Sequence, residues 1–136
     1  MVDILYVEDN ADDADIFSRL LRKYEEPVTY SILTSGSEAI EFLQQAKTLP
    51  KLVLLDLNLI GLSGFDVLET IRKNHHTRRL PVVVFSTSDN PSDIRMAYES
   101  GVNAYLVKPG TYQATGRLIQ RLCQFWLEDN TQTNER

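Results

Sequence analysis

The sequence predicts an α/β fold, a doubly wound five-stranded parallel sheet with strand order 2-1-3-4-5. Three observations lead there. First, four apolar runs lack the alternation of a half-wetted strand: Ile4-Leu5-Tyr6-Val7, Leu52-Val53-Leu54-Leu55, Val82-Val83-Val84-Phe85 and Ala104-Tyr105-Leu106-Val107. Continuous runs of this kind read as strands buried on both faces of a parallel sheet. Second, helical patterns alternate with them, and right-handed crossovers then place helices on both faces. Third, each run stops on polar residues: Glu8-Asp9, Asp56, Ser86 and Lys108-Pro109. In such a sheet ligands bind outside the carboxyl ends of the strands, at the switch point between strands 1 and 3.

Each element has its own signal. After the first strand, Ile16, Phe17, Leu20, Leu21 and Tyr24 fall on one face of a helix beginning near residue 11, and Pro27 breaks it. Val28 to Leu33 alternates and reads as a strand near a sheet edge. Ser35-Gly36-Ser37 opens the second helix, with Ser37 as its expected cap and Ala39, Ile40 and Leu43 inward. The third strand, 52–56, leads through a loop with Gly61 and Gly64 into a helix from Phe65 to Asn74. Pro81 precedes the fourth strand, and Asp89-Asn90-Pro91 reads as cap and helix start. That helix stops at Gly101. Residues 112–128 form the last helix, and 129–136 is a polar tail expected to fray.

The length of 136 residues suits one domain with a proper core, here residues 1–128. Its 14 basic and 19 acidic residues leave a net charge of −5, which argues against nonspecific binding to nucleic acid or an anionic membrane. Cys123 is the only cysteine, so no intramolecular disulfide forms and a reducing cytosol is the expected home. No apolar stretch approaches the about 20 residues that span a bilayer, and Met1-Val2-Asp3 carries no basic leader.

The strand ends bring three carboxylates, a hydroxyl and an ammonium to one edge. Adjacent carboxylates repel, and a hard cation relieves them. Mg²⁺ takes oxygen ligands and keeps several waters, so few carboxylates suffice. Asp9 is read as the direct ligand, Glu8 as acting through water, Asp56 as bridging metal and phosphoryl group, and the Asn58 backbone carbonyl as a further ligand. Glu8-Asp9 alone would equally suit a helix cap. Asp56 closing an all-apolar strand is harder to explain without a charge partner. As a nucleophile it would form an acyl phosphate, with the metal and nearby cations offsetting the developing charge. Ser86 supplies a hydroxyl, although a Ser there is commonly a turn residue. Thr87 is its neighbour on the opposite face. Lys108 supplies the ammonium, and a cis Lys108–Pro109 bond is expected to turn it inward.

Order and spacing together resemble the receiver domain of two-component response regulators, over about residues 2–128. The matching pieces are Glu8-Asp9, Asp56 within Leu54-Leu55-Asp56-Leu57-Asn58, Ser86 after Val-Val-Val-Phe, and Lys108-Pro109 after Ala104-Tyr105-Leu106-Val107. The resemblance implies a flavodoxin-like receiver fold, Asp56 as phosphoacceptor, Asp9 and Glu8 as the metal pair, Ser86 as switch hydroxyl, Lys108 as phosphate clamp and Tyr105 as switch aromatic. It implies a non-enzymatic signalling protein, charged by a sensor histidine kinase or a histidine phosphotransfer protein, whose switch is a population shift. A relay shuttle is the alternative role. Three positions depart from the family's common pattern: Glu8 for Asp, Ile60 where Pro often stands, and Gly110 where an apolar residue usually follows Lys-Pro. No output domain follows the receiver, so a stand-alone regulator is expected. The end Phe125-Trp126-Leu127-Glu128 is similar to the small regulators paired with bacterial phytochrome kinases. Leu118, Leu122 and Phe125 share one helical face; Ile119, Cys123 and Trp126 share another. A homodimer through helix 4, strand 5, helix 5 and the Phe125-Trp126 end is expected. The counter-expectation is that Trp126 folds back onto its own domain.

Two rival chemistries fit less well. A haloacid dehalogenase-type phosphatase also uses an aspartyl phosphate and Mg²⁺, but carries its nucleophile on the first strand and its acidic pair last. A flavodoxin-like FMN module needs a small-residue phosphate loop after strand 1, where this chain has Glu8-Asp9-Asn10-Ala11-Asp12-Asp13. His75-His76 with Arg78-Arg79 reads as a solvated basic loop, and Asp12, Asp13 and Asp15 suit the first turn of helix 1 and a docking kinase. Asn58 and Ser88 lie where a side chain could steer an attacking water. Substituting either is expected to change the dephosphorylation rate, and an unaltered phosphoryl lifetime in both variants would refute this.

Overall fold

The computed structural model describes residues 2–132. Its strands are β1 (Ile4–Val7), β2 (Tyr30–Leu33), β3 (Leu52–Leu55), β4 (Val82–Ser86) and β5 (Ala104–Val107). They pair in parallel in the expected order β2-β1-β3-β4-β5. Between them stand α1 (Ala11–Arg22), α2 (Gly36–Gln45), α3 (Gly64–Lys73), α4 (Pro91–Glu99) and α5 (Tyr112–Cys123). β2 starts later than its alternating pattern suggests, because Thr29 is held by a local clasp. Its amide donates to Asp3 Oδ2 and its hydroxyl accepts from the Asp3 amide, at 3.0 and 2.9 Å.

The period-2 geometry of the strands divides the core into two layers. Leu5, Val7, Val53, Leu55, Val82 and Val84 pack against Ala39 and Leu43 of α2, Val67, Leu68 and Ile71 of α3, and Ala97 of α4. Ile4, Tyr6, Leu52, Leu54, Val83 and Phe85 face Phe17 and Leu21 of α1 and Ile119, Leu122 and Cys123 of α5. The central strands β1, β3 and β4 are buried on both sides, so their end residues are rigidly placed.

Side chains close the helix starts. Asn10 accepts from the Asp13 amide, Asn90 from the Ser92 amide ahead of a helix begun by Pro91, and Ser63 forms a reciprocal box with Asp66. The cap of α2 is Ser35, not Ser37: its extended backbone lets its hydroxyl accept from the Glu38 amide, while Ser37 already lies inside the helix. Gly110 leaves the start of α5 intact, because Thr111 caps it through the Ala114 amide.

The last helix does not run uniformly to residue 128. α5 gives way to a π-helical turn over Gln124–Asp129. The wider spiral turns Trp126 onto the α1–α5 layer and leaves Phe125 outside, 52% exposed. The counter-expectation for Trp126 is therefore the one observed. Beyond the turn, Gln132 Nε2 donates to the Lys51 carbonyl at 3.1 Å; residues 133–136 of the expected tail lie outside the described residues. No described helix is long and apolar enough to cross a membrane.

Gly64 matters for the site. A Cβ there would lie 2.4 Å from the Asp56 carbonyl oxygen and 2.7 Å from Leu57 Cα. Gly64→Ala must push α3 away from the end of β3, with an expected loss of about 1–3 kcal/mol of stability in urea titration; unchanged stability would show that α3 slides freely. Cys123 is fully buried, and burial pushes its thiol up to about 12. It is expected to resist a thiol-specific reagent in the native protein and react at once in denaturant.

Candidate functional site

Sheet register assembles the site. Val7 pairs with Leu55, so the next residues, Glu8 and Asp56, emerge side by side. The Asp56 amide donates to the Val7 carbonyl (3.1 Å), the Glu8 amide to Leu33 (2.9 Å), and the Lys108 amide to Ser86 (2.7 Å). Main-chain bonds thus pin the polar strand ends in place. α1 begins directly after β1, and its first turn carries Asp13 over the same edge.

Lys108 is the hub. Its ammonium donates to Asp13 Oδ2 at 2.8 Å, to Asp56 Oδ2 at 3.0 Å, and to Glu8 Oε1. Glu8 is fully buried and Asp56 is 6% exposed. The Lys108–Pro109 bond is trans; no cis peptide occurs among the described residues. The expected cis bond is unnecessary, because the flexible four-carbon stem reaches the carboxylates by itself, passing over the Phe85 ring at 5.7 Å. Glu8 is also held by the Tyr6 hydroxyl on Oε1 (2.8 Å) and the Asn10 amide on Oε2 (3.2 Å). Asp56 Oδ1 accepts from the Asn58 amide at 3.1 Å.

Three carboxylates share one ammonium, and this sets the proton affinities of Glu8, Asp56 and Lys108. Burial, and then the neighbouring Asp56 carboxylate, push Glu8 up to about 7 against the pull of Lys108. Burial pushes Asp56 the same way, but the Glu8 carboxyl, the Asn58 amide and Lys108 outweigh it and hold Asp56 below its usual value. For Lys108, burial disfavours the charge, yet bonds to Asp13 and Glu8 and the charge of Asp56 hold its pKa above that of a free lysine.

The remaining expected residues divide. Ser86 is fully buried at the end of β4, its Oγ accepting from the Ser88 amide at 3.2 Å. Thr87 faces outward and is exposed. Half-buried Tyr105 directs its hydroxyl to the Ser88 carbonyl at 2.9 Å. Asp9 stands apart from the Lys108 cluster, with Oδ2 accepting from the Ile60 amide at 2.9 Å. The sequence reading missed Tyr6 and placed Asp13 in the first turn of helix 1 and at a kinase-docking position, not on Lys108. Tyr6 was legible as the residue two before Glu8 on a strand, hence on the same face. Asp13 needed the tertiary position of α1.

Among the described residues no three His, Cys, Asp or Glu side chains are arranged to hold one ion. The Ile60 amide engages Asp9, and Lys108 lies between the other acids. The donor chemistry nevertheless fits a small hard dication. The candidate donors, Glu8, Asp9, Asp56 and the Asn58 carbonyl, are all oxygen, and one ammonium against three buried or half-buried acids leaves uncompensated negative charge.

Comparison with known proteins fits this geometry. The family model of the response regulator receiver domain matches residues 4–122. The chain belongs to that family. The relatives that match by sequence include two covered over most of their length. Response regulator Rcp1 of Synechocystis sp. (strain ATCC 27184 / PCC 6803 / Kazusa) is 38% identical over 133 residues, covering 94% of this chain and 90% of its own. The probable methanogenesis regulatory protein FilR2 of Methanothrix harundinacea (strain 6Ac) is 34% identical over 128 residues, covering 91% and 83%. Among solved receivers, the phosphorylated cyanobacterial phytochrome response regulator RcpA superposes with a TM-score of 0.89 at 33% identity, covering 96% of both chains. The Mn²⁺-bound form of Rcp1 gives 0.88 at 36% identity, covering 98% of this receiver and 99% of that one.

The coupling between the two buried acids is testable. In Asp56→Asn the Glu8 carboxyl loses the neighbour that lifts it, so its titration is expected to move down from about 7 while burial keeps it above an ordinary glutamate. Side-chain ¹³C NMR across pH reads this directly; an unmoved Glu8 would show that burial alone sets its value.

Proposed function

We propose that this receiver accepts a phosphoryl group on Asp56 from a phosphohistidine of a sensor histidine kinase or phosphotransfer protein, and passes the change to a partner or a second copy through its α4–β5–α5 face. The observation that carries this reading is the placement of Asp56. A buried carboxylate held below its usual pKa, with an ammonium on one oxygen and a backbone amide on the other, is an ionised, oriented nucleophile.

An Asp56 carboxylate oxygen attacks phosphorus in line as the P–N bond of phosphohistidine breaks. The departing imidazole nitrogen keeps the electron pair. Lys108 offsets charge on the phosphoryl oxygens, moving off Glu8 and Asp13 as it does so. Ser86 rotates its O–H toward a phosphoryl oxygen, and the amide of Ser88 follows. Asp9, Asp56, the Asn58 carbonyl and Glu8 would hold Mg²⁺, which would supply positive charge to offset that developing on the phosphoryl group. Hydrolysis of the acyl phosphate ends the signal, and this slow self-dephosphorylation is the only turnover expected.

Loop movement at Ser86 reaches the surface through Tyr105, whose hydroxyl holds the Ser88 carbonyl. Met96, Tyr98 and Val107 are exposed apolar residues on α4 and β5, and Phe125 is exposed past α5. This supports a homodimer through that face and the Phe125 end. Similarity to RcpA supports a bacterial phytochrome as the kinase, and a cytosolic location goes with that partner.

Incubation with acetyl phosphate and Mg²⁺, followed by intact-mass analysis, is expected to show one added phosphoryl group. It should vanish with chelator and in Asp56→Asn, be labile to hydroxylamine, and shift elution on size exclusion. A hydroxylamine-sensitive phosphate retained by Asp56→Asn would overturn the assignment.

A further inference from the structure

We propose that Tyr6 is a positioning residue for the divalent cation, fixing the Glu8 carboxylate through its hydroxyl; the proposal rests on the cation reading above. Tyr6 is fully buried in the middle of β1, and its hydroxyl lies 2.8 Å from Glu8 Oε1. Its ring packs against Phe17 (centroids 4.5 Å apart) and Phe85 (6.2 Å). A buried tyrosine must place its hydroxyl on a partner, so the plain alternative is that Glu8 merely satisfies Tyr6. The difference between the three donors on Glu8 decides against that. Lys108 is one of them, on a flexible stem, and it is shared with Asp13 and Asp56. The other two, Tyr6 and the Asn10 amide, are fixed by strand, stacking and main chain. When Lys108 turns to a phosphoryl group, these two alone still orient Glu8. Tyr6 occupies Oε1 and the Asn10 amide lies on Oε2, which sets how the carboxylate plane faces the site. Donors of this kind behind a metal-binding carboxylate fix its orientation, and losing one commonly costs about tenfold or more in affinity.

Tyr6→Phe keeps the ring and deletes only the hydroxyl. Mn²⁺ binding, followed by the EPR signal of free Mn²⁺, is expected to weaken about tenfold in this variant. Thermal unfolding in chelator should show a native-like cooperative transition. Acetyl phosphate labelling of Asp56 should need more Mg²⁺ but approach the wild-type rate at saturation, a split that general loosening of the core would not give. A second readout does not depend on the variant's stability. With tyrosine labelled at ¹³Cζ, the resonance missing from Tyr6→Phe is that of Tyr6, and in the wild type it should shift on adding Mg²⁺. Equal Mn²⁺ affinity in the two proteins, or a Tyr6 resonance indifferent to Mg²⁺ while Mg²⁺ binds, overturns the role of Tyr6. Absence of Mn²⁺ binding in the wild type, with Asp56→Asn as the control, overturns the cation reading and this inference together.

Discussion

The structure depends on one concentration of charge. Glu8, Asp13 and Asp56 converge on the Lys108 ammonium at the carboxyl edge of the sheet. Removing two carboxylates from water is unfavourable, and a single ammonium cannot compensate three acids. The cluster survives because the sheet leaves it no alternative. β1, β3 and β4 are buried on both faces, and bonds at Asp56–Val7, Glu8–Leu33 and Lys108–Ser86 hold their ends in register. The strands therefore keep the acids close together, and the surplus negative charge makes the edge receptive to a dication. The ammonium that partly balances it is bonded to Asp56, the proposed phosphoacceptor.

Much of this was legible in the sequence, for a physical reason. A strand buried on both faces must be apolar throughout, so the first polar residue after each run marks the sheet edge. Glu8, Asp56, Ser86 and Lys108 are found by that rule alone; alternation and crossover handedness give the doubly wound sheet, and its order is one of the two common for that class. The misses also have causes. Ser35 was legible as the cap of α2, because Glu38 stands three residues on at the capping-box spacing, whereas Ile40 follows Ser37 at that distance. The cis Lys108–Pro109 bond was expected because X-Pro bonds can be cis, but the bond is trans and the lysine stem reaches the carboxylates without it. The π-helical turn after Cys123 leaves no periodic trace over six residues, yet it decides that Trp126 packs inward and Phe125 does not. Asp13 reads as a helix-start and docking acid until the fold brings it to the Lys108 ammonium.

The β4–α4 loop joins the charge cluster to the outer face by three bonds of its own. Ser86 Oγ holds the Ser88 amide, Ser88 Oγ donates to Asp93 Oδ2 at 2.7 Å in the first turn of α4, and Tyr105 takes the Ser88 carbonyl. Ser88 thus faces the buried hydroxyl through its amide, α4 through its side chain and β5 through its carbonyl. A loop tied at three points moves as a unit. Pulling Ser86 toward a phosphoryl oxygen must move α4 relative to Tyr105 or break one of these bonds, and either outcome alters the surface that carries Met96, Tyr98 and Val107.

Burial of Tyr6 beneath Glu8 links stability and sensitivity at this edge. The α1–α5 layer would pack as well with Phe at this position, since both flanking partners, Phe17 and Phe85, are apolar rings. A hydroxyl in such surroundings costs free energy unless it is bonded, and the nearest acceptor is the carboxylate that burial has already pushed toward neutrality. Donor and acceptor therefore stabilise each other, whereas either one alone would be destabilising. The Tyr6–Glu8 bond does not involve Lys108, so the proposed movement of that ammonium to a phosphoryl group would leave the bond in place.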